Sequence, residues 1–281
     1  MDPEVYARAL LERLAVKGIP DVRQVAALLG VPVHERPLER CEGMLVRIKG
    51  TARGAIAVRT SIRENSRKLF TIAHELGHLL LPGHEDTGVC ATETIESWAS
   101  SLRAREREAN AFAAELLMPA VAILELTANR TPSLALVDHI AETCGTSLTA
   151  SAYRLVGLSN YSVALVWSTA NRMVWARRSE EFRGWLRLRE QLDSRTFASN
   201  LFRGEDIPPG ALKVPADSWL ERAAHADTLW EESRCLPSYN AVVTLLWTNE
   251  LSVLDRDDDP LESSDRFGAS TSRHRWSDEG R

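Results

Sequence analysis

Two histidines four residues apart, His74 and His78, with Glu75 directly after the first, stand in the apolar stretch Phe70-Thr-Ile-Ala-His-Glu-Leu-Gly-His78. On a helix that spacing puts both imidazoles on one face, about one turn apart, where they can share a zinc ion. Glu75 projects about 100° further round, which suits a carboxylate that meets water beside the metal rather than the metal itself. The chemistry implied is metal-assisted hydrolysis, with Glu75 as general base. Phe70, Ile72, Ala73, Leu76, Leu79, Leu80 and Leu81 make the helix apolar nearly all round. It is therefore expected to be buried, and buried histidines need polar partners.

A catalytic zinc site normally takes three protein ligands, and two residues compete for the third place. His84 stands ten residues after His74, the spacing of HExxHxxGxxH enzymes, but Leu81 occupies the position where that motif needs glycine. Glu106 fits better. In a helix over 102–118, Leu102, Ala109, Ala113, Leu116 and Leu117 form an apolar stripe with Glu106 in its middle. Glu108 and Glu115 fall on the opposite face. A carboxylate aimed into a buried seam needs a cation or a metal, and the bland alternative for Glu106 is a salt bridge to Arg103 or Arg107. Asn110, one turn on, can orient a ligand histidine.

The stretch through His78-Leu-Leu-Leu81, followed by Glu106-Arg-Glu-Ala-Asn-Ala-Phe-Ala-Ala-Glu-Leu-Leu-Met-Pro119, closely resembles the ImmA/IrrE family of metallopeptidases. The resemblance implies a gluzincin-like centre in which His74, His78 and Glu106 hold Zn2+ and Glu75 is catalytic. It covers about residues 40–125 and weakens through 126–160. It also implies a substrate class, since members typically cut a helix-turn-helix repressor and so relieve repression in stress responses or mobile elements. Some longer members carry GAF-like sensor domains after the peptidase.

The elements that must position these residues follow from periodicity and caps. Helices are expected over 4–17 and from Asp21 to Leu29, strands at Val31–Arg36, Gly43–Ile48 and Ala55–Ser61, and the HExxH helix from about Ser66 to Pro82-Gly83. Thr131-Pro132 reads as the cap and first position of a further helix, Gly145 as its end, and Ser147 as the cap of the next. After Tyr161 the texture changes. Strands are expected at Ser162–Ser168, Arg172–Ala176 and Ala241–Thr248, with a helix at Glu180–Leu192. The organisation predicted is α+β: a zincin-like metallopeptidase domain (1–128, a small sheet plus active-site helices), a helix-turn-helix-like segment (129–160), and a C-terminal α+β, GAF-like domain (161–255) for sensing or docking. A charged, Ser-rich tail (256–281) is expected to be disordered.

A formal net charge of −5 gives no global pull towards nucleic acid or anionic membrane. No apolar run approaches the roughly 18 residues of a membrane span, and the N-terminus lacks a signal peptide's basic and then apolar pattern. The expected location is the cytoplasm, with Cys41, Cys90, Cys144 and Cys235 as ordinary thiols. Ala141–Ser147 matches the turn of helix-turn-helix motifs, which raises a second reading: a DNA-binding or ligand-sensing regulator with little peptidase turnover. Its would-be recognition helix offers only Arg154 to phosphates, so direct DNA binding is disfavoured. The partner expected is a protein substrate, a helix-turn-helix repressor, with no membrane.

Overall fold

The structure is a computed structural model that describes residues 2–48, 51, 53–84, 96–223 and 227–249, and the side chains of those outside 96–102. Helix α1 (Pro3–Arg13) starts with Asp2 accepting from the Glu4 amide and proline at its first position. Helix α2 (Val22–Leu28) starts with Asp21 accepting from the Arg23 and Gln24 amides. Three strands follow, β1 (Val33–Arg36), β2 (Gly43–Arg47) and β3 (Gly54–Arg59), in the order β1-β3-β2. β1 runs parallel to β3 and β2 antiparallel to it. Leu45 faces Ile56 in that register, and both are buried with Val58 in the main core.

Helix α3 (Asn65–Leu80) carries the HExxH segment and packs on α4 (Glu96–Leu117). Their contact is at backbone distance. A Cβ on Gly77 would lie 3.2 Å from Ala109 Cα and 3.2 Å from the Phe112 ring, so glycine there sets how near the two helices come. Pro119 ends α4 and begins α5 (Ala120–Thr127), a helix that periodicity did not single out. Helix α6 (Leu134–Cys144) ends at Gly145 with φ +64°, and Ser147 caps α7 (Leu148–Leu158) by accepting from the Ala150 amide.

The start of α6 differs from expectation. Its cap is Ser133, whose hydroxyl accepts from the Leu136 amide, and Thr131-Pro132 lies outside the helix. The Leu134 amide is taken by the Glu232 carboxylate at 2.8 Å. That acceptor is far away in sequence and fixes where the helix can begin.

The remainder is a five-stranded antiparallel sheet: β4 (Ser162–Thr169), β5 (Arg172–Arg178), β6 (Leu212–Pro215), β7 (Thr228–Leu236) and β8 (Ala241–Thr248), in the order β5-β4-β8-β7-β6. Helix α8 (Phe197–Phe202) lies against it. The sheet is buried on both faces. Val163, Leu165, Val243, Leu245 and Trp247 join the same apolar cluster as the helices of the first half, while Ala164, Val166, Val242 and Leu246 pack with Phe182, Leu186 and Trp219. Glu180–Leu192 is not a helix. Phe182, Gly184 and Leu186 are buried at alternate positions, and Leu186 and Gln191 bridge to Leu220 and Arg172. The i, i+4 pair Phe182 and Leu186 imitates a helix, but the backbone amides find partners across the fold instead. The tail expected beyond 255, Cys90 and the segment 85–95 lie outside the described residues.

Candidate metal centre

The helix contact at Gly77 and Ala109 puts His74, His78 and Glu106 against one another. Glu106 Oε2 lies 3.2 Å from His74 Nε2, Glu106 Oε1 lies 3.2 Å from His78 Nε2, and the two Nε2 atoms are 3.1 Å apart. A tetrahedral zinc site with ligand distances of about 2.0 Å has ligand–ligand edges of about 3.3 Å. The donor set matches that triangle in size and in chemistry, two imidazoles and a carboxylate. Among the described residues it is the group of histidine and acid side chains that could hold an ion. The Glu106 side chain is 47% exposed, so the centre opens to solvent on one side.

The electrostatics ask for a cation. Hydrogen bonds to His74 and His78 hold the Glu106 carboxyl far below the usual carboxylate range. Burial disfavours the charged form of His74, but Glu106 and Glu75 outweigh it and the net shift is upward. Among the described residues no arginine compensates Glu106, so the Arg103 or Arg107 salt bridge is not what holds it.

Behind the centre, Asn110 Oδ1 lies 2.9 Å from His74 Nδ1. With that nitrogen donating, Nε2 of the neutral ring is left with the lone pair a metal takes; without a metal it bonds Glu106 only by carrying a proton. Glu75 is nearly buried and makes no hydrogen bond among the described residues. Burial raises its pKa, against the pull of His74 and His78. A carboxylate so placed is poised to take a proton. The strand β2 runs alongside: a Cβ on Gly43 would fall 2.6 Å from Glu75 Oε1. From the same strand Arg47 donates to the His78 carbonyl, satisfying the last turn of α3.

His84 is not where a third ligand would be. It is 1% exposed, with Nδ1 3.0 Å from His78 Nδ1 and Nε2 2.9 Å from Glu108 Oε2. Sequence reading placed it as a rival ligand or a loop residue, and placed Glu108 on the far side of α4. The two meet because Glu106 and Asn110 lie about 60° and 100° to one side of Ala109, and Glu108 about 100° to the other. The ring of His78 spans the gap. A loop histidine six residues past the motif, beside a helix with a second acid, was the available signal.

Glu115 corrects the expected polarity of α4 more sharply. Its side chain is fully buried and pairs with Arg154 of α7 and, at 3.3 Å, with Arg8 of α1, while accepting from the Ala120 amide at 3.2 Å. Arg154 also donates to the Met118 carbonyl at 3.0 Å. Helix α4 is therefore buried on two sides. Arg154 and His84 are committed to these contacts. Tyr153 lies under the Arg177 guanidinium and accepts from it, and His139 is exposed on α6. Cys144 is buried, which pushes its thiol up to about 11, and Cys235 is exposed.

Residues 26–156 match the family model of the IrrE N-terminal-like domain, Peptidase_M78, a span that includes the whole metal centre. Among solved structures, a Mycobacterium tuberculosis transcriptional regulator superposes with a TM-score of 0.50 at 12% identity, covering 88% of this chain and 76% of that one. That likeness concerns the fold alone. No curated protein matches the sequence.

Proposed function

We propose that this chain, which belongs to the ImmA/IrrE family through its IrrE N-terminal-like domain, is a zinc-dependent, site-specific endopeptidase that cuts a helix-turn-helix transcriptional repressor in the cytoplasm. The observation that carries the reading is the convergence of His74 Nε2, His78 Nε2 and Glu106 beside the partly buried carboxylate of Glu75. Bound by those three residues, zinc would supply a Lewis acid that polarises a carbonyl and acidifies water. Glu75 takes the proton from the attacking water and passes it to the leaving amine nitrogen. Asn110 keeps His74 in the tautomer that ligates. Strand β2, an edge strand beside Glu75, offers unpaired backbone groups with which an extended substrate segment can pair.

Selectivity for a repressor follows from that geometry. An extended backbone must lie beside the centre, which folded proteins offer only in linkers and mobile ends. The C-terminal sheet, whose order counted within the region is 2-1-5-4-3, is compatible with a GAF-like module that senses a signal or docks the partner. No single helix among the described residues is long and apolar enough to cross a membrane. The rival reading, a DNA-binding or ligand-sensing regulator, draws support from the solved neighbour, which is a transcriptional regulator. Against it, the only arginine of α7 is buried on Glu115, so the would-be recognition helix has no basic side chain to bring to phosphates.

The test is incubation of the zinc-loaded enzyme with the helix-turn-helix repressor encoded nearest to it, with fragments read by mass spectrometry. One discrete cut is expected, and little action on casein. Glu75→Gln should slow the cut by about 10²–10⁴-fold while metal content stays near wild type. Indiscriminate digestion of casein would overturn the specificity, and a folded Glu75→Gln protein that had lost its zinc would overturn the role of Glu75. Removing residues 161–281 is not a clean test of docking, because Val163, Leu165 and Val243 belong to the peptidase's own core.

A further inference from the structure

We infer that His84 and Glu108 form a positioning pair that holds the metal ligand His78 in the tautomer and ring orientation presenting its Nε2 to the centre. The inference deepens the metal reading and rests on it, but it is independent of peptidase activity.

The assignment follows along the chain of contacts. The Glu108 carboxylate can only accept, so His84 Nε2, 2.9 Å away, is the N–H donor. In a neutral ring His84 Nδ1 then carries the lone pair. His78 Nδ1, 3.0 Å from it, must be the donor. Nε2 of His78 is left with its lone pair directed at the side where Glu106 and His74 Nε2 lie, 3.2 and 3.1 Å off. With both rings neutral, any other set of protons leaves two donors or two acceptors facing each other along Glu108, His84 and His78 Nδ1, where His84 is 1% exposed, whereas the lone pairs that this set gathers at Glu106 and His74 are the ones a cation satisfies.

The fold commits particular elements to this arrangement. His84 follows Pro82 and Gly83, and Gly83 sits at φ +81°, a conformation that glycine adopts without strain. The turn drops His84 beneath the last turn of α3 instead of continuing into solvent. Helix α4 then serves both histidines: Asn110 backs His74, and Glu108, through His84, backs His78. His84 is not a spare ligand, since both of its ring nitrogens are engaged on the side of His78 away from Glu106. The asymmetry has a consequence. The partner of His74 belongs to a helix, whereas the partner of His78 belongs to a turn, so the chain after α3 is tied to the geometry of the centre.

The experiment uses the full chain and zinc alone. Chelator competition is expected to show His84→Leu binding zinc about 10–100-fold more weakly. His84→Gln, which restores an acceptor, should recover most of that loss, and Glu108→Gln should lose less than His84→Leu. The second readout is the Nδ1–H of the His78 ring in zinc-loaded protein, from nitrogen–proton correlation spectra. Wild type should show a hydrogen-bonded, slowly exchanging Nδ1–H, and in His84→Leu that signal should move and exchange faster. Equal loss in His84→Leu and His84→Gln would mean packing rather than hydrogen bonding, and would overturn the inference. So would an unchanged His78 Nδ1–H signal in His84→Leu. Failure of the wild type to bind zinc would sink the metal reading itself, a result distinguishable from either.

Discussion

Helix α4 carries two carboxylates on buried faces, Glu106 and Glu115, and they are compensated in opposite ways. Glu115 is fully buried and meets two arginines, Arg154 and Arg8, as well as the first amide of α5. Glu106 is half-exposed and meets two ring nitrogens whose other sides are held from behind by Asn110 and His84. A carboxylate ringed by guanidinium groups is electrically complete and ties three helices together. A carboxylate that shares a point with two imidazole lone pairs is complete only when a cation sits between them. The same residue type on one helix is thus a structural tie in one place and a candidate ligand in the other. What separates the two is the chemistry of the neighbours, not burial alone.

The comparison breaks most easily at Glu115. Glu115→Ala would take from buried Arg154 its closest carboxylate and leave only the half-exposed Glu4 at 3.6 Å, and should destabilise the protein by about 3–5 kcal/mol. Denaturant unfolding of the metal-free protein should show a lower midpoint with unchanged slope, and whatever remains folded should bind zinc normally. Glu106→Ala should do the reverse. One ligand of a site worth roughly 10–16 kcal/mol is about a quarter of it, so zinc binding should weaken by about 10²–10³-fold. Stability without metal should fall by much less than in Glu115→Ala, because Glu106 is half-exposed and loses only its contacts with His74 and His78. If the metal-free Glu106→Ala protein were destabilised as much as Glu115→Ala, the distinction between the two carboxylates would fall. The finest effect belongs to Asn110→Ala, which leaves all three ligands in place. Zinc affinity should drop by about 10–100-fold, measured by chelator titration, and an affinity equal to wild type would show that His74 needs no support from behind.

The grouping of His74, His78 and Glu106 was legible because helical geometry is local. His74 and His78 share a face by their spacing, and Glu106 and Asn110 share one by theirs. The centre needed only that α3 and α4 meet, and Gly77 against Ala109 lets them. The caps at Asp21 and Ser147 and the stop at Gly145 were legible for the same reason, since each hydrogen bond closes within a few residues. Where the reading failed, the missing partner was remote. Glu115 looked like an outward-facing residue until α1 and α7 packed on that side. Phe182 and Leu186 kept a helical spacing while their segment lay extended beside β5 and Leu220. Of the first half, the three strands were read, but not the parallel pairing that sets β1 beside β3. Of the second, three strands of five were read, and their order was not.

From the sequence alone came the residues that can hold a metal, the acid Glu75 beside them, and the helices that carry both, because an α-helix satisfies its own backbone and repeats on a fixed angle. Tertiary structure decided that Glu115 is a buried tie rather than an outward-facing acid, that α6 starts at Ser133 on the carboxylate of Glu232, and that His84 stands behind His78 rather than beside it. Those outcomes depend on which charges and lone pairs arrive from other elements. A buried carboxylate must be compensated by whatever packs against it, and local spacing does not record what that will be.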